Sequence, residues 1–388
     1  MFTPKALSGS EAEKYYEHLN ERDGYYTAKE EPPGRWLGKG AEALGLAGVV
    51  RAKEFKQTMN GRLGDRQLVR NAGKAGRMKA IDAPVSVPKS VSAAYAASDK
   101  DGRAAIDRAL DRAARKVVER VESIVETRSG AGGKNKEKGA KLIVAAFKHD
   151  TNRKGEPGEH VHLVFQNVAV RKNGSTATPD FRPLFREQKS IGAFFRRELA
   201  RELEREGFAV VAREGLDEKG RKYQSFEMRD VPQKLVDVYS ERARELQAEH
   251  ERTGESKNLI NRRTREKKQA VPRAELEEQW RAQQKEALGH DRPIDFRTRD
   301  AERADLGKLD VAALPREERE QAFARLREER EARRTEMQRD DKMADSVSLG
   351  ARAAKGLAAA ILAARSAQKR PKQADTSRAI ERIFESEN

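Results

Sequence analysis

The chain has 388 residues, with 80 Lys plus Arg against 64 Asp plus Glu, a formal net charge of +16 and 37% hydrophobic residues. This surplus favours a polyanion as partner, because Lys and Arg gain affinity by releasing counterions from phosphates, and the modest apolar content predicts a folded core with a solvated extension. The absence of cysteine excludes disulfides, thiolate metal sites, iron–sulfur clusters and a cysteine nucleophile, so a metal site would depend on His and carboxylates. The N-terminus lacks the apolar region of a secretory signal, and no apolar run approaches the roughly 18 residues of a membrane span, which predicts a cytoplasmic protein without membrane insertion.

The predicted elements mix strands and helices up to residue 230 and are helical beyond it. In chain order they are a strand over 79–86, helices over 90–97 and 101–127, a flexible loop over 129–140, strands over 141–148 and 160–170, a helix over 190–206, a hairpin over 208–228 and a solvated helix over 314–345. Strands bracketed by helices, with short loops, predict an α+β fold built on an antiparallel sheet.

Three of the six histidines, His149, His160 and His162, fall within a short stretch. On a strand, His160 and His162 share a face because side chains alternate with period two, and His149 reaches that face if its strand pairs with theirs. Three imidazoles with open remaining positions suit a divalent metal that also binds a substrate oxygen. Asp82, on the strand over 79–86, could accept a hydrogen bond from one imidazole and fix its tautomer. The alternative is a set of surface histidines on a hairpin, with Asp82 as an ordinary strand-end residue.

Four of the seven tyrosines form two pairs, Tyr15-Tyr16 and Tyr25-Tyr26. Taken alone, the pairs favour aromatic packing of a short N-terminal helix. Combined with a metal site and a positive surplus, they indicate DNA strand transfer, because a tyrosine hydroxyl can form a covalent ester with a phosphate.

The order of these motifs resembles the relaxase domain of MobF-type (TrwC- and TraI-like) conjugative transfer proteins in the HUH endonuclease superfamily. The matching strings lie within residues 12–296 and include YYEHLNERDGYYTAKE, WLGKGAEALGLAG, IDAPVSVPKSVS, HDTNRKGEPGEHVH and ELARELEREGFAV. The sequence departs from the family pattern at Val161, where a threonine is usual. The resemblance implies the HUH relaxase fold, with a five-stranded antiparallel sheet flanked by helices. It also implies a catalytic core over 1–232, a helical segment over 233–296 that closes over DNA, and a charged helical, partly disordered tail over 297–388.

The same resemblance implies an activity and residue roles. The protein would nick single-stranded DNA at a plasmid origin of transfer, with Tyr15 as first nucleophile, a 5′-phosphotyrosyl intermediate, and Tyr25 in a second transfer. Tyr16 and Tyr26 complete the catalytic pairs. The histidines would hold a divalent metal, Mg²⁺ or Mn²⁺ in the cell and Zn²⁺ or Ni²⁺ in crystals, while Asp82 orients one imidazole or assists tyrosine deprotonation. The residues expected to contact DNA are Arg77, Lys89, Arg153, Arg262 and Arg263.

The partners implied by the resemblance are single-stranded or hairpin origin DNA, a coupling protein, a type IV secretion system and accessory relaxosome proteins. Translocation into the recipient cell with the bound DNA also follows from it. No G-x-x-x-x-G-K-[ST] phosphate-binding loop occurs in the sequence, which predicts either a relaxase without a helicase or a fragment of a longer protein. Two alternatives remain open: a rolling-circle replication initiator or transposase with the same chemistry, and a non-catalytic single-stranded DNA binding module.

The positive surplus is concentrated in two segments. Residues 51–79 hold nine basic and two acidic residues, and residues 257–273 hold seven and one. These two patches are the predicted DNA-binding segments.

Overall fold

An antiparallel sheet organises the fold. The computed structural model describes residues 2–9, 34–74, 76–129, 134–216, 222–264 and 271–297. All of them belong to one unit that spans residues 1–301. The predicted solvated helix over 314–345 and all four paired tyrosines lie outside the described residues.

Strands and helices are numbered here in chain order among the described residues. The strands are β1 (Lys5–Ser8), β2 (Arg35–Leu37), β3 (Arg62–Leu63), β4 (Arg66–Gln67), β5 (Met78–Ser86), β6 (Glu126–Ser129), β7 (Asn135–Lys138), β8 (Lys141–Thr151), β9 (Pro157–Val170), β10 (Thr176–Ala177), β11 (Pro179–Asp180), β12 (Val210–Leu216) and β13 (Lys222–Met228). The helices are α1 (Lys39–Ala43), α2 (Ala52–Met59), α3 (Lys89–Ala97), α4 (Lys100–Ile124), α5 (Arg182–Arg186), α6 (Gln188–Arg205), α7 (Gln233–Val238), α8 (Glu241–Thr253), α9 (Lys257–Arg263) and α10 (Arg273–Leu288).

The main sheet has the order β1-β5-β9-β8-β2, and every neighbouring pair in it is antiparallel. This confirms the predicted α+β class and the five-stranded path, to which the two-residue strand β10 adds a short sixth member beside the end of β9. The long strands β8 and β9 lie next to each other near the middle of the sheet. The histidine motif therefore lies on a hairpin that has a further strand paired to each side.

The two faces of the sheet belong to two separate hydrophobic clusters, as the alternation of side chains requires. One cluster includes Leu163 and Phe165 of β9 together with the buried faces of α4 and α6. The other includes Val164 and Val168 of β9 and is covered by residues such as Phe55 of α2. Burial on both faces explains why β9 reads as a nearly continuous apolar run after its histidines.

The helix predicted over 101–127 ends earlier, and the loop predicted over 129–140 is partly a strand. Helix α4 begins after Asp99, whose carboxylate accepts the Gly102 N–H at 2.7 Å, and ends at Ile124. From Glu126 the chain forms β6, which pairs with β7 on one side and β11 on the other. The helical spacing of apolar residues continues to Val125, so the periodicity alone cannot show where these strand partners take over the backbone hydrogen bonds.

The region predicted to be helical after residue 230 contains α7 to α10. Its buried centre is Trp280, which is 1% exposed, and Tyr239, whose hydroxyl donates to the Trp280 carbonyl at 2.8 Å. Among the described residues, no helix combines the length and apolar character that a membrane crossing needs.

Candidate metal centre and nucleic-acid interface

The register of the β8–β9 hairpin brings the three histidines together. His149 lies directly opposite His160, and Phe147 lies opposite His162. Because directly paired residues and alternate residues share a face, all three imidazoles are on one face of the sheet. Their ring centroids are 5.4 Å apart for His149 and His160, and 5.2 Å apart for each of the other two pairs. The predicted convergence of the three rings is therefore found.

Hydrogen bonds fix the orientation of two of these rings. The Nδ1 atom of His162 lies 2.8 Å from Oδ1 of Asp82 and 3.1 Å from Oδ2, and the Nδ1 atom of His160 lies 2.6 Å from the Gly158 carbonyl. A carbonyl or carboxylate oxygen accepts, so Nδ1 carries the hydrogen in both rings. A metal held by these residues would therefore be bound through Nε2. Asp82 stands where the sequence predicted an orienting carboxylate.

The spacing of the rings fits a shared ion. Imidazoles that bind one metal at about 2.0–2.1 Å with tetrahedral angles would have centroids about 5.2 Å apart. Among the described residues, no group of three or more His, Asp or Glu side chains is already arranged as a complete metal site. Rotation of an imidazole about its Cβ–Cγ bond turns the nitrogens and leaves the ring centroid nearly in place, so the observed centroid spacing is compatible with a shared ion. The donor set of three neutral imidazoles suits a divalent first-row ion.

The opposite face of the hairpin is apolar or shielded from solvent. Val161, which replaces the threonine usual in the family pattern, is 3% exposed and belongs to the cluster on the other side of the sheet. Its substitution therefore leaves the imidazole face unchanged. Glu159 is also on that opposite face, and burial, with the nearby charge of Asp150, raises the pKa of its carboxyl to about 8. Glu159 is consequently mostly protonated at neutral pH and is not directed towards the histidines.

One of the predicted DNA contacts, Arg77, is corrected by the structure, and a second, Lys89, makes contacts within the protein. Arg77 is only 4% exposed, and its guanidinium donates to the carbonyls of Met59 at 2.5 Å and Asn167 at 2.6 Å. The ammonium of Lys89 donates to the Pro157 carbonyl at 2.8 Å and lies 3.7 Å from Glu156. Arg77 stabilises main-chain oxygens inside the protein and is not placed to contact a phosphate. The Lys89 side chain stays 28% exposed, and its contact with DNA remains a prediction.

The other three predicted DNA contacts lie near the surface. Arg153 is exposed in the turn between β8 and β9, and Arg262 is exposed on α9. Arg263 is half-exposed and pairs with Glu249 at 2.8 Å and Glu255 at 3.0 Å. Their role in DNA binding remains a prediction, as do the roles of Tyr15, Tyr16, Tyr25 and Tyr26.

A basic cleft lies at the other end of β9, and the sequence did not reveal it. Its volume is about 1200 Å³, and it is lined by residues of β4, β6, β10, β11 and α5. Five arginines line it: Arg66, Arg70, Arg128, Arg171 and Arg182. Asp180, the acidic residue among the described residues of the lining, pairs with Arg128 at 3.0 Å and Arg182 at 2.5 Å. The eight residues from His162 to Val170 place the cleft about 26 Å along the strand from the histidines.

Comparison with known proteins shows which family has this arrangement. A family model described as TrwC relaxase matches residues 9–287. The multifunctional conjugation protein TraI of Escherichia coli K12 is 31% identical over 277 residues, which cover 68% of this chain and 14% of TraI. A second Escherichia coli TraI is 31% identical over 271 residues, covering 66% and 14%. The chain thus spans a small part of the length of these relatives.

Solved structures of the conjugative relaxase TrwC are similar in fold. A copper-bound complex with oriT DNA has a TM-score of 0.64 and 27% identity, and the match covers 76% of this chain and all of that one. A metal-free complex with oriT DNA has a TM-score of 0.61 and 27% identity, covering 75% and 99%. A complex with a 27-mer that comprises the recognition hairpin and the cleavage site has a TM-score of 0.61 and 26% identity, covering 76% and all of that chain. The family match, the TraI identity and these folds agree: the chain belongs to the TrwC relaxase family.

Proposed function

We propose that this chain is a site- and strand-specific DNA relaxase that nicks single-stranded DNA at a plasmid origin of transfer. The observation that carries the proposal is the convergence of His149, His160 and His162 on one sheet face, with Asp82 bonded to His162, in a member of the TrwC relaxase family. The relatives support the substrate, because TrwC has been solved with oriT DNA.

The proposed chemistry is a transesterification by tyrosine. The Tyr15 oxygen attacks the scissile phosphorus, a 5′-phosphotyrosyl ester forms, and the bond to the 3′ oxygen breaks. The tyrosine proton leaves through a base or solvent, and the departing oxygen becomes a free 3′ hydroxyl. Tyr25 performs the second transfer, with Tyr16 and Tyr26 as the neighbouring hydroxyls. Since one phosphoester replaces another, the later reverse transfer needs no nucleotide cofactor.

The three histidines are the proposed ligands of a divalent ion, Mg²⁺ or Mn²⁺. Such an ion, when bound, supplies positive charge to the scissile phosphate. The protein's own part is to hold three imidazoles at the observed spacing and to keep His162 in the tautomer that Asp82 selects. TrwC itself has been solved in metal-bound and metal-free forms.

The basic cleft and the exposed arginines are the proposed contacts to the rest of the DNA. Arg66 and Arg70 line the cleft from β4 and the residues after it, and Arg153 lies on the turn beside the histidines. Guanidinium groups suit this task because they bind phosphate oxygens through two hydrogen bonds at once. A DNA molecule that reaches both places would run parallel to β9 across the protein surface, because β9 itself is buried between the two hydrophobic clusters.

The wider cellular role is proposed by analogy with conjugative transfer. Coupling protein, type IV secretion system and accessory relaxosome proteins are the proposed partners of a cytoplasmic protein that enters the recipient with its DNA. Residues 297–388 are the proposed site of such docking.

The decisive experiment is a search for a covalent adduct. Labelled single-stranded oligonucleotides tiled across the replicon that encodes the chain are incubated with the protein and Mg²⁺ or Mn²⁺. We expect an adduct with one sequence, which forms in wild type, disappears with chelator, and fails in Tyr15→Phe and His162→Ala. A tile from an origin of replication instead would indicate an initiator, and binding without any adduct would indicate a non-catalytic module.

A further inference from the structure

The turn that joins the two histidine strands, residues 152–156, is here called the histidine turn. Its two ends hold each other: the Asn152 N–H donates to the Glu156 carbonyl at 3.0 Å, the Asn152 amide donates to Glu156 Oε2 at 2.5 Å, and the Glu156 N–H donates to Asn152 Oδ1 at 3.1 Å. Glu156 is 6% exposed. Because His149 precedes this turn by three residues and His160 follows it by four, its shape controls the separation of those two rings.

The helical segment 233–288 reaches this turn from outside the sheet. The Trp280 indole N–H donates to the Gly155 carbonyl at 2.8 Å, and the Arg242 main-chain N–H donates to Glu156 Oε1 at 3.0 Å. A Cβ at Gly155 would lie 2.8 Å from Leu276 Cδ2, so α10 packs closely against the turn.

A third contact reaches the strand beside the first histidine. Arg273 of α10 forms an ion pair with Asp150, the residue next to His149, and its guanidinium also lies 5.0 Å from the Trp280 ring centroid. Asp150 and Arg273 are both largely buried. Water cannot easily replace these bonds, because Trp280 is 1% exposed and Glu156 is 6% exposed.

We propose that Glu156, Arg273 and Trp280 are positioning residues that hold the histidine hairpin in its metal-binding geometry. This inference rests on the proposed function, since it assumes that the histidines bind a metal. It assigns the helical segment a second role besides contacting DNA. Linkage then requires that DNA which orders this segment raises the metal affinity of the histidines, and that metal raises the DNA affinity by the same factor.

The test measures metal binding by the full chain without DNA. Ni²⁺ is titrated calorimetrically at 25 °C into wild type, His162→Ala, Glu156→Ala, Glu156→Gln and Trp280→Phe, and the metal-free melting temperature of each is recorded. Trp280→Phe removes the N–H donor and keeps an aromatic ring. The matched control is Glu202→Ala. The Glu202 carboxylate of α6 is also buried, at 7% exposed, and it pairs with Arg112 of α4 at 2.5 Å, so this variant breaks a buried salt bridge in another part of the fold.

We expect Glu156→Ala and Trp280→Phe to bind Ni²⁺ about 10–100-fold more weakly than wild type, as is usual when groups behind metal ligands are removed. Glu156→Gln should retain part of the affinity, because its amide oxygen can still accept from Arg242. Glu202→Ala should remain within about twofold of wild type even where its melting temperature falls equally. If Glu156→Ala does not fold, Trp280→Phe decides alone.

Two results overturn the inference in different ways. Wild-type Ni²⁺ affinity in the positioning variants, together with loss of binding in His162→Ala, refutes positioning and leaves the proposed function standing. If His162→Ala binds Ni²⁺ as tightly as wild type, the histidines do not form the metal site. Both the inference and the proposed function are then refuted.

Discussion

Replacing Arg77 by alanine tests whether a cation from the basic patch over 51–79 serves the fold or the DNA. Its guanidinium makes three hydrogen bonds, to Met59 O at 2.5 Å, Asn167 O at 2.6 Å and Asn71 Oδ1 at 3.2 Å. Bonds to a charged donor contribute about 1.5–3 kcal/mol each, and the substitution leaves buried acceptors without them. Burial also lowers the pKa of Arg77 to about 10, because the charged guanidinium is less favourable inside the protein than in water.

The net loss expected for Arg77→Ala is about 2–4 kcal/mol, because relief of that burial cost offsets part of the lost hydrogen bonding. This should lower the melting temperature by roughly 5–10 °C for a domain of this size. The assay combines thermal unfolding with single-stranded DNA affinity measured at several salt concentrations, well below the melting temperature. Affinity and its salt dependence should stay at wild-type values in the folded variant.

Arg70→Ala is the matched control, since Arg70 is exposed and lines the basic cleft. It should change stability by no more than about 0.5 kcal/mol and reduce the slope of log affinity against log salt by about 0.7–0.9. If Arg77→Ala instead leaves stability intact and reduces that slope, the assignment of Arg77 to the interior is wrong.

Three further predictions concern the site and the tail. Asp82→Ala should weaken metal binding about 10–100-fold while Asp82→Asn loses less, measured by metal titration, because the Nδ1–H of His162 loses its acceptor only in the alanine variant; equal affinities would contradict the orienting role. Tyr15→Phe should bind origin DNA as wild type does and form no covalent adduct on a denaturing gel, and an adduct at unchanged yield would remove Tyr15 as first nucleophile. Deleting residues 297–388 should leave nicking intact in the same adduct assay, and loss of nicking would refute the division at residue 296.

The parts of the site that the sequence could reveal are those that depend on local periodicity. His160 and His162 share a face on any strand, and their strand was evident from its apolar residues. The position of His149 depends on pairing between strands: its register opposite His160 follows from the turn closed by Asn152 and Glu156. Such a turn has no strong sequence signature of its own. The sequence could therefore predict only that His149 joins the other two histidines if the two strands pair.

Long-range contacts account for what the sequence could not show. Arg77 lies in a segment that the sequence predicted to contact DNA, yet its two main-chain acceptors are 18 and 90 residues away along the chain. The basic cleft combines Arg66 and Arg70, which belong to the basic segment 51–79, with Arg128, Arg171 and Arg182, which do not form a cluster in the sequence. The strands that line the cleft belong to three different sheets, so only the packing of the sheets against one another brings the arginines together.

Burial and ion pairing decide which of the basic residues can contact a partner. Counting charges along the chain gives residues 51–79 and 257–273 equal weight, but Arg77 and Lys79 of the first patch are buried, and Arg273 of the second is paired with Asp150. Among the described residues, the exposed arginines that concern the proposed DNA path include Arg153 on the histidine turn and Arg66 and Arg70 in the cleft about 26 Å away. At 3.4 Å per nucleotide along a duplex strand, that distance corresponds to about eight nucleotides. A DNA molecule bound at both places would therefore extend well beyond the scissile phosphate, and we expect the cleft to contact nucleotides that the proposed tyrosine chemistry does not touch.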